Sequence, residues 1–170
     1  MDLDQQEFNN NSMKQTKTEL ENWYQNTDPW NYEKTTDDII RKEKILSLLS
    51  TYTTALDIGC GEGFITKDIK SKEIFGIELS DSASLRLPSN VTRLLEPNDK
   101  YDLVMSTGTL YQQYDHKLIS EWIMKSSKNH VLVGGIKDWM IWSDFGKIIN
   151  ELEFKYREYT QIIRLYEVIT

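Results

Sequence analysis

Apolar runs typical of buried strands alternate along the chain with segments in which apolar residues recur at helical spacing. The strand-like runs are residues 54–58, 73–77, 91–95, 101–105 and 130–136. Helical spacing marks the groups Leu20/Trp23/Tyr24, Ile39/Ile45/Leu46/Leu49, Ile65/Ile69, Leu118/Ile119/Trp122/Ile123 and Phe145/Ile149/Leu152. Thr36 and Asp115 precede the second and fourth groups as helix caps, and Ser143 begins the fifth helix. Two more strand-like runs, 153–159 and 162–169, end the chain with no helix between them.

Strands that alternate with helices predict an α/β fold with a mainly parallel, twisted sheet and helices on both faces. The two final runs predict an antiparallel hairpin at the C-terminal end. A chain of 170 residues has the size of one compact domain. We therefore expect a single domain over residues 16–170, in which about 16–50 form an N-terminal helical lid. The polar residues 1–15 are expected to form a disordered tail.

Composition narrows the classes of function. The formal net charge is −7 and the sequence pI is about 4.9, which argues against nucleic-acid binding because a phosphate backbone requires a basic face. Cys60 is the single cysteine and the chain has two histidines, so we expect neither an internal disulfide nor a metal site. The N-terminal residues lack the basic start and apolar run of a signal peptide, and no stretch approaches the roughly 20 apolar residues of a membrane span. We expect a cytoplasmic protein without membrane association.

A glycine-rich loop follows the first predicted strand. Gly59, Gly61 and Gly63 remove three side chains from one tight turn, so a ligand can contact the backbone there. In an open parallel sheet, ligands bind at the carboxyl ends of the strands. Glu78 ends the next strand about twenty residues later, where a carboxylate can accept hydrogen bonds from both hydroxyls of a ribose. These features predict a nucleoside-binding site; the alternative is a sharp turn with an exposed glutamate.

The spacing of the glycines distinguishes between nucleoside cofactors. Dinucleotide-binding loops have the order G-x-G-x-x-G and place a pyrophosphate at the start of a helix. This loop has the order G-x-G-x-G, and the acidic Glu62 stands where a pyrophosphate would be repelled. A cationic sulfonium that carries an ammonium group meets no such repulsion. The spacing therefore favours S-adenosylmethionine over NAD.

The motifs together resemble those of class I, Rossmann-like, S-adenosylmethionine-dependent methyltransferases. LDIGCGEG resembles the first motif of that family, FGIELS the acidic segment after it, and YDLVMSTGTLYQQYD the strand and loop that border the methyl-transfer site. This resemblance covers roughly residues 54–136. The upstream run DPWNYEKTTDDIIRKEKILSLL is similar to a narrower group, the nodulation-type small-molecule N-methyltransferases.

The resemblance implies a set of cofactor-binding residues. They are Trp30, Asp57, Gly59, Cys60, Gly61, Gly63, Phe64, Glu78, Leu79 and Ser106. It implies that Glu78 holds the ribose and that Trp30 and the glycine loop border the methionine end, while we interpret Cys60 as a small residue that fills space beside the cofactor. Many relatives have an aspartate near the adenine amine after the third strand, where this chain has only Glu96-Pro97. The residue that recognises adenine is therefore not indicated.

Candidates for catalysis and acceptor binding lie in the loops after the fourth and fifth strands. We interpret His116 either as a proton acceptor or as a surface residue of a first helical turn. Tyr111 is the second catalytic candidate. The aromatic residues expected at the mouth of the site are Trp30, Tyr111, Tyr114 and Trp139.

The sequence predicts methyl transfer from S-adenosylmethionine to a small polar acceptor, with an amine, such as one on a sugar, as the first choice. The alternatives are a methyltransferase of RNA or protein and a cofactor-binding partner subunit without turnover. The charged run 41–44 is interpreted as a solvated helix face, with Arg41 reaching a carboxylate of the cofactor as the alternative. The oligomeric state is open.

Overall fold

The computed structural model describes residues 16–169, so the predicted tail 1–15 lies outside the described residues. The helices and strands, in chain order, are α1 (Lys17–Trp23), α2 (Thr36–Leu48), β1 (Tyr52–Ile58), β2 (Ser71–Ile77), α3 (Asp81–Leu85), β3 (Val91–Leu94), β4 (Tyr101–Thr107), α4 (His116–Ser126), β5 (Ser127–Ile136), β6 (Lys147–Tyr156) and β7 (Tyr159–Glu167). The fold is α/β, and the seven strands of residues 16–169 form a single sheet in the order β3-β2-β1-β4-β5-β7-β6.

The sheet has a parallel part and an antiparallel part. Strands β1 to β5 pair in parallel, and β7 pairs antiparallel with both β5 and β6. The mainly parallel sheet and the C-terminal hairpin predicted from the sequence are thus confirmed. The strands β1 and β4 lie side by side, but β1 is followed by β2 on one side and β4 by β5 on the other. The connections that leave the carboxyl ends of β1 and β4 therefore diverge and open a crevice between these two strands.

Alternate side chains of the central strands form a core layer on each face of the sheet. One layer contains Ile45 of α2 with Ala55, Leu103 and Leu132. The other contains Ile123 of α4 with Leu56, Val104 and Val131. Because both faces of the central strands are buried, these strands are nearly continuous apolar runs, which is why the sequence located them.

The prediction of a helix after the glycine loop is wrong. The chain makes only a short 3-10 helix there, Thr66–Asp68, and β2 begins at Ser71. Ile65 and Ile69, whose spacing predicted the helix, are both buried in the core. One tight turn is enough to bring them to the same layer, so their spacing does not require a longer helix.

The prediction of a helix that begins at Ser143 is also wrong. The residues after Gly146 form the edge strand β6, which pairs with β7 over its whole length. Phe145 packs in the core before the strand begins, and an irregularity between Ile148 and Asn150 shifts the alternation of side chains. These two features imitate helical spacing, and pairing with β7 decides the conformation.

The remaining helices lie close to their predicted positions. Helix α1 begins with a capping box of Thr16 and Glu19. Helix α2 begins at Thr36, with Thr35 as its N-cap, which is one residue earlier than predicted. Asp115 caps α4 as predicted. Within residues 16–169, no helix has the length and apolar character needed to cross a bilayer.

Candidate functional site

A cavity of about 710 Å³ lies at the carboxyl ends of β1, β2 and β4. Its volume falls within the usual range for small-molecule sites. The glycine loop, the segment between α1 and α2, and the tip of the β6–β7 hairpin all contribute to it. All but two of the predicted site residues line this cavity: Trp30, Asp57, Gly59, Cys60, Gly61, Gly63, Phe64, Glu78, Leu79 and Tyr111.

Ser106 and His116 are the two predicted residues that do not line the cavity. Ser106 is buried in β4, and its hydroxyl donates to the carbonyl of Ile58 at 2.8 Å and shares a hydrogen bond with Thr109. It thereby holds Thr109, which does line the cavity. His116 is the half-buried first residue of α4. Their predicted roles in binding and catalysis stay predictions.

The glycine loop has the tight geometry that its sequence predicts. Gly59, Gly61 and Gly63 have φ values of 78°, 58° and 85°, in the left-handed region that other residues rarely adopt. A Cβ atom on Gly59 would lie 2.6 Å from the methyl group of Thr109, and one on Gly61 would lie 3.0 Å from the hydroxyl of Tyr24. A Cβ atom on Gly63 would lie 2.8 Å from the ring of Pro88. Glycine is therefore needed at all three positions for both conformation and space.

Glu78 is buried at the end of β2, where it joins this strand to the glycine loop. Its Oε1 accepts the backbone N–H of Gly61 at 2.9 Å, and its Oε2 accepts that of Ser80 at 2.9 Å. Burial raises the pKa of Glu78, and these two hydrogen bonds act in the opposite direction. A carboxylate has about four acceptor positions, so both oxygens keep capacity for hydrogen bonds from a ligand in the cavity.

Asp57, in β1, is a second buried carboxylate that lines the cavity. The Thr66 hydroxyl donates to its Oδ2 at 2.7 Å. Burial raises the pKa of Asp57 to about 7, although the hydrogen bond from Thr66 lowers it. The negative charge of Glu78 raises this pKa further, whereas the positive charge of Arg41 lowers it. A cationic ligand beside Asp57 would therefore favour its ionised form.

The variant Asp57→Asn is expected to change how stability depends on pH. The parent holds this proton up to about pH 7 when folded but releases it near pH 4 when unfolded, so it loses stability between those values as pH rises. Asparagine does not ionise and can still accept the hydrogen bond from Thr66. The free energy of unfolding of the variant should exceed that of the parent by about 1–4 kcal/mol above pH 7, and the difference should shrink toward pH 4. Urea unfolding across this range measures it, and parallel pH profiles would contradict it.

The lid segment, residues 24–35 between α1 and α2, covers one side of the cavity. Trp30 donates its indole N–H to the Tyr24 hydroxyl at 3.3 Å, and the Tyr32 ring lies 5.6 Å from that of Phe64 in the glycine loop. Glu62 attaches the segment to the glycine loop, since its Oε1 accepts the backbone N–H of Asp28 at 2.7 Å. The other oxygen of Glu62 lies 3.3 Å from Arg86. Glu62 is therefore paired within the protein.

Arg41 of α2 is buried and lines the cavity, so the interpretation of a solvated face is wrong for this residue. Its guanidinium carbon lies 5.1 Å from the centre of the Tyr32 ring and 5.8 Å from that of Tyr156. Its Nε is 3.5 Å from Asp38 Oδ1 and has no hydrogen-bond partner among residues 16–169. The helical spacing of Asp38, Arg41 and Ile45 placed all three on the buried face of α2, and this pattern was visible in the sequence.

Aromatic residues line the cavity beyond the ends of β4 and β5. The Tyr111 hydroxyl accepts the backbone N–H of Ile136 at 2.7 Å, and its ring stacks with that of Tyr114 at 6.2 Å between centroids. Trp139 lies edge-on against Tyr111, with 5.6 Å between centroids, and does not line the cavity. Trp30, Tyr111 and Tyr114 thus line the cavity, whereas Trp139, which was also expected at its mouth, packs against Tyr111 instead.

Residues that the sequence did not indicate line both ends of the cavity. The hairpin contributes Tyr156, Arg157, Tyr159 and Gln161. At the other end lie Arg93, Leu95, Leu118, Ile119 and Trp122. The distant hairpin reaches the site only because β7 inserts beside β5, a pairing that no local pattern shows.

No protein-family model matches the sequence, and no curated protein is significantly similar to it. Solved structures share its fold. The N-methyltransferase NodS from Bradyrhizobium japonicum WM9, in complex with S-adenosyl-L-homocysteine, matches with a TM-score of 0.77 at 16% identity, over 90% of this chain and 98% of NodS.

Two other matches have different acceptors in their names. Magnesium protoporphyrin IX methyltransferase ChlM from Synechocystis PCC 6803, with S-adenosylmethionine bound, has a TM-score of 0.67 at 13% identity, over 94% of this chain and 100% of ChlM. The tRNA methyltransferase TrmK from B. subtilis has a TM-score of 0.57 at 12% identity, over 76% of this chain and 65% of TrmK. This chain therefore has the Rossmann-like fold of class I S-adenosylmethionine-dependent methyltransferases.

Proposed function

We propose that this protein is an S-adenosylmethionine-dependent methyltransferase that acts on a nitrogen atom of a small polar acceptor. The observation that carries the proposal is Glu78, a buried carboxylate that braces the glycine loop and keeps acceptor capacity toward the cavity. A ribose with two free hydroxyls matches this carboxylate, because each hydroxyl can donate to one of its oxygens.

The two ends of the cavity fit the two ends of the cofactor. Leu79, Leu118 and Trp122 offer apolar surface to an adenine ring. At the opposite end, Arg41 and Asp57 offer a cation and an anion, which match the carboxylate and the ammonium group of a methionine. Arg41 and Asp57 are close enough for the charge of one to affect the pKa of the other. Structures of NodS and ChlM contain S-adenosyl-L-homocysteine and S-adenosylmethionine in the same fold.

The cofactor supplies a methyl group already activated on a sulfonium, so the chain has to bind, orient and exclude water. Trp30 and Tyr32 of the lid segment line the side of the cavity that we assign to the methionine, and Tyr111 lines the side that we assign to the acceptor. Holding two reactants in the correct geometry is worth about 7–11 kcal/mol of the barrier. We assign Tyr111 to acceptor positioning. We keep His116 as the proposed proton acceptor. In that role, the start of α4 must rearrange to bring His116 to the cavity.

Two observations support nitrogen as the methylated atom. NodS is named as an N-methyltransferase, and the D-P-W run of this chain resembles that group. The similarity to TrmK favours tRNA as a second candidate acceptor, but a net charge of −7 opposes association with a polyanion. The cyclase SpnF also shares the fold, with a TM-score of 0.60 at 11% identity, so the proposal requires a direct test of turnover.

Calorimetry with S-adenosylhomocysteine and with NAD is expected to show saturable binding of the first and none of the second. Transfer of a labelled methyl group is then measured with amines, aminosugars, nitrogen heterocycles, hydroxylated small molecules, bulk tRNA and protein extract. We expect transfer to a nitrogen-containing small molecule. Binding of NAD without binding of S-adenosylhomocysteine would refute the cofactor assignment. Transfer confined to tRNA or protein would refute only the acceptor.

A further inference from the structure

Gln161 is a buried amide at the acceptor end of the cavity. It is 5% exposed and lines the cavity. It pairs through its backbone with Ile136, the last residue of β5, so it stands at the carboxyl edge of the sheet. No hydrogen bond joins its side chain to another of residues 16–169, and its amide atoms are not sealed from solvent. The amide is therefore open to the cavity, where a ligand or water can satisfy it.

Flat aromatic residues surround this end of the cavity. Tyr111 is stacked with Tyr114 at an interplanar angle of 27°, and both line the cavity. Tyr159 also lines it and is held by Trp139, with 5.1 Å between the ring centroids. Hydrogen bonding of the Tyr111 hydroxyl to the backbone of Ile136 fixes that ring in place. Rigid aromatic surface of this kind suits a planar ring more than a flexible or saturated acceptor.

The charged groups at this end are paired with one another. The Arg157 guanidinium donates to Asp38 Oδ2 at 2.7 Å, and its backbone N–H donates to Asp37 at 2.8 Å. Arg41 forms an ion pair with the same Asp38. Both guanidinium groups thus contact the carboxylate of Asp38, and Asp37 lies against the backbone of Arg157, so the four formal charges of this cluster cancel. A neutral acceptor avoids the desolvation of a charge.

We propose that Gln161 determines acceptor specificity and that the acceptor is a neutral, planar ring that presents a hydrogen-bond donor beside a hydrogen-bond acceptor, as an amide or lactam does. A primary amide side chain offers one carbonyl acceptor and N–H donors, and only a ligand edge with both functions satisfies both. A carboxylate satisfies only the N–H side, and an ammonium group satisfies only the carbonyl. This inference rests on the proposed function, since it places the acceptor beside the bound cofactor.

The test uses three probes of similar size that share a phenyl ring and differ in charge: benzamide, benzoate and benzylamine. Each is titrated by ligand-observed NMR into the full chain saturated with S-adenosylhomocysteine. We compare the parent with Gln161→Leu and with the control Gln112→Leu, which alters an exposed glutamine of the neighbouring loop. Benzamide is expected to bind the parent and the control about fivefold or more tightly than the other two probes, and to lose this preference in Gln161→Leu.

The affinity for S-adenosylhomocysteine, measured first, separates the two proposals. If the parent does not bind S-adenosylhomocysteine, the proposed function fails and this inference fails with it. If the parent binds it, three results overturn the inference about Gln161 alone. They are a preference for benzoate or benzylamine, a benzamide preference that survives in Gln161→Leu, and the absence of saturable binding by any probe.

Discussion

Replacing Glu78 with alanine is expected to weaken the binding of S-adenosylhomocysteine by roughly tenfold or more, because each hydrogen bond to a charged acceptor contributes about 1.5–3 kcal/mol. The substitution also removes the oxygens that accept the N–H groups of Gly61 and Ser80, so the glycine loop loses one of its supports. Both effects act on the cofactor and neither acts on the acceptor. Calorimetry on variants with verified secondary structure measures the loss.

Two further variants separate these effects. Glu78→Gln keeps the size of the side chain and one carbonyl oxygen, so it should bind more tightly than Glu78→Ala and less tightly than the parent. Glu73→Ala removes an exposed carboxylate from the same strand and should bind as the parent does. A folded Glu78→Ala variant with the affinity of the parent would show that Glu78 does not hold the ribose.

Substitution of Arg41 is expected to remove the contribution of the cofactor's carboxylate to binding. The parent should bind S-adenosylhomocysteine roughly tenfold to a hundredfold more tightly than its decarboxylated analogue, because a charge-assisted hydrogen bond from a buried guanidinium contributes about 1.5–3 kcal/mol. In Arg41→Met the two ligands should bind almost equally. The four affinities form a double-mutant cycle that isolates the contact between this guanidinium and the carboxylate.

This cycle also tests whether Arg41 has only a structural role. Removal of Arg41 leaves Asp38 still bonded to Arg157, so the fold should survive. A structural role alone would weaken the binding of both ligands by the same factor. Lys44→Met, which removes a cation from the same helix away from the cavity, should leave the ratio of the two affinities unchanged. A ratio unchanged in Arg41→Met would assign the carboxylate to another residue.

Much of the fold was predictable from local patterns. The central strands are buried on both faces, so they are apolar along their whole length, and the caps of the helices are short-range hydrogen bonds. The segment after Gly146 was not predictable in this way. Its apolar spacing suits a helix, and only the antiparallel partner β7 makes it the edge strand β6. A weak helical pattern is overridden here because strand formation depends on tertiary context, and a neighbouring strand is available for pairing.

The candidate site divides in the same manner. A short stretch of the sequence contains Gly59, Gly61, Gly63 and Glu78. One strand, one turn and the next strand fix the positions of these residues relative to one another. Arg41 was misinterpreted because three of its neighbours in the chain are charged, although its spacing from Ile45 places it on the buried face. Trp139 was misplaced because the sequence gives its position after β5 but not the direction of its ring.

By itself, the sequence determined the class of fold, the edge of the sheet at which the cavity lies, and the residues of the glycine loop and of the end of β2 that line it. These features depend on the spacing of apolar residues, on the residue types in turns and on contacts over about twenty residues, all of which are encoded locally in the chain. Only the tertiary structure decided what lines the acceptor end. Gln161 and Arg157 lie about a hundred residues after the glycine loop, and they reach the cavity because β7 enters the sheet antiparallel beside β5. Contacts across such separations depend on strand pairing and packing of the whole domain, which no segment of the sequence specifies alone.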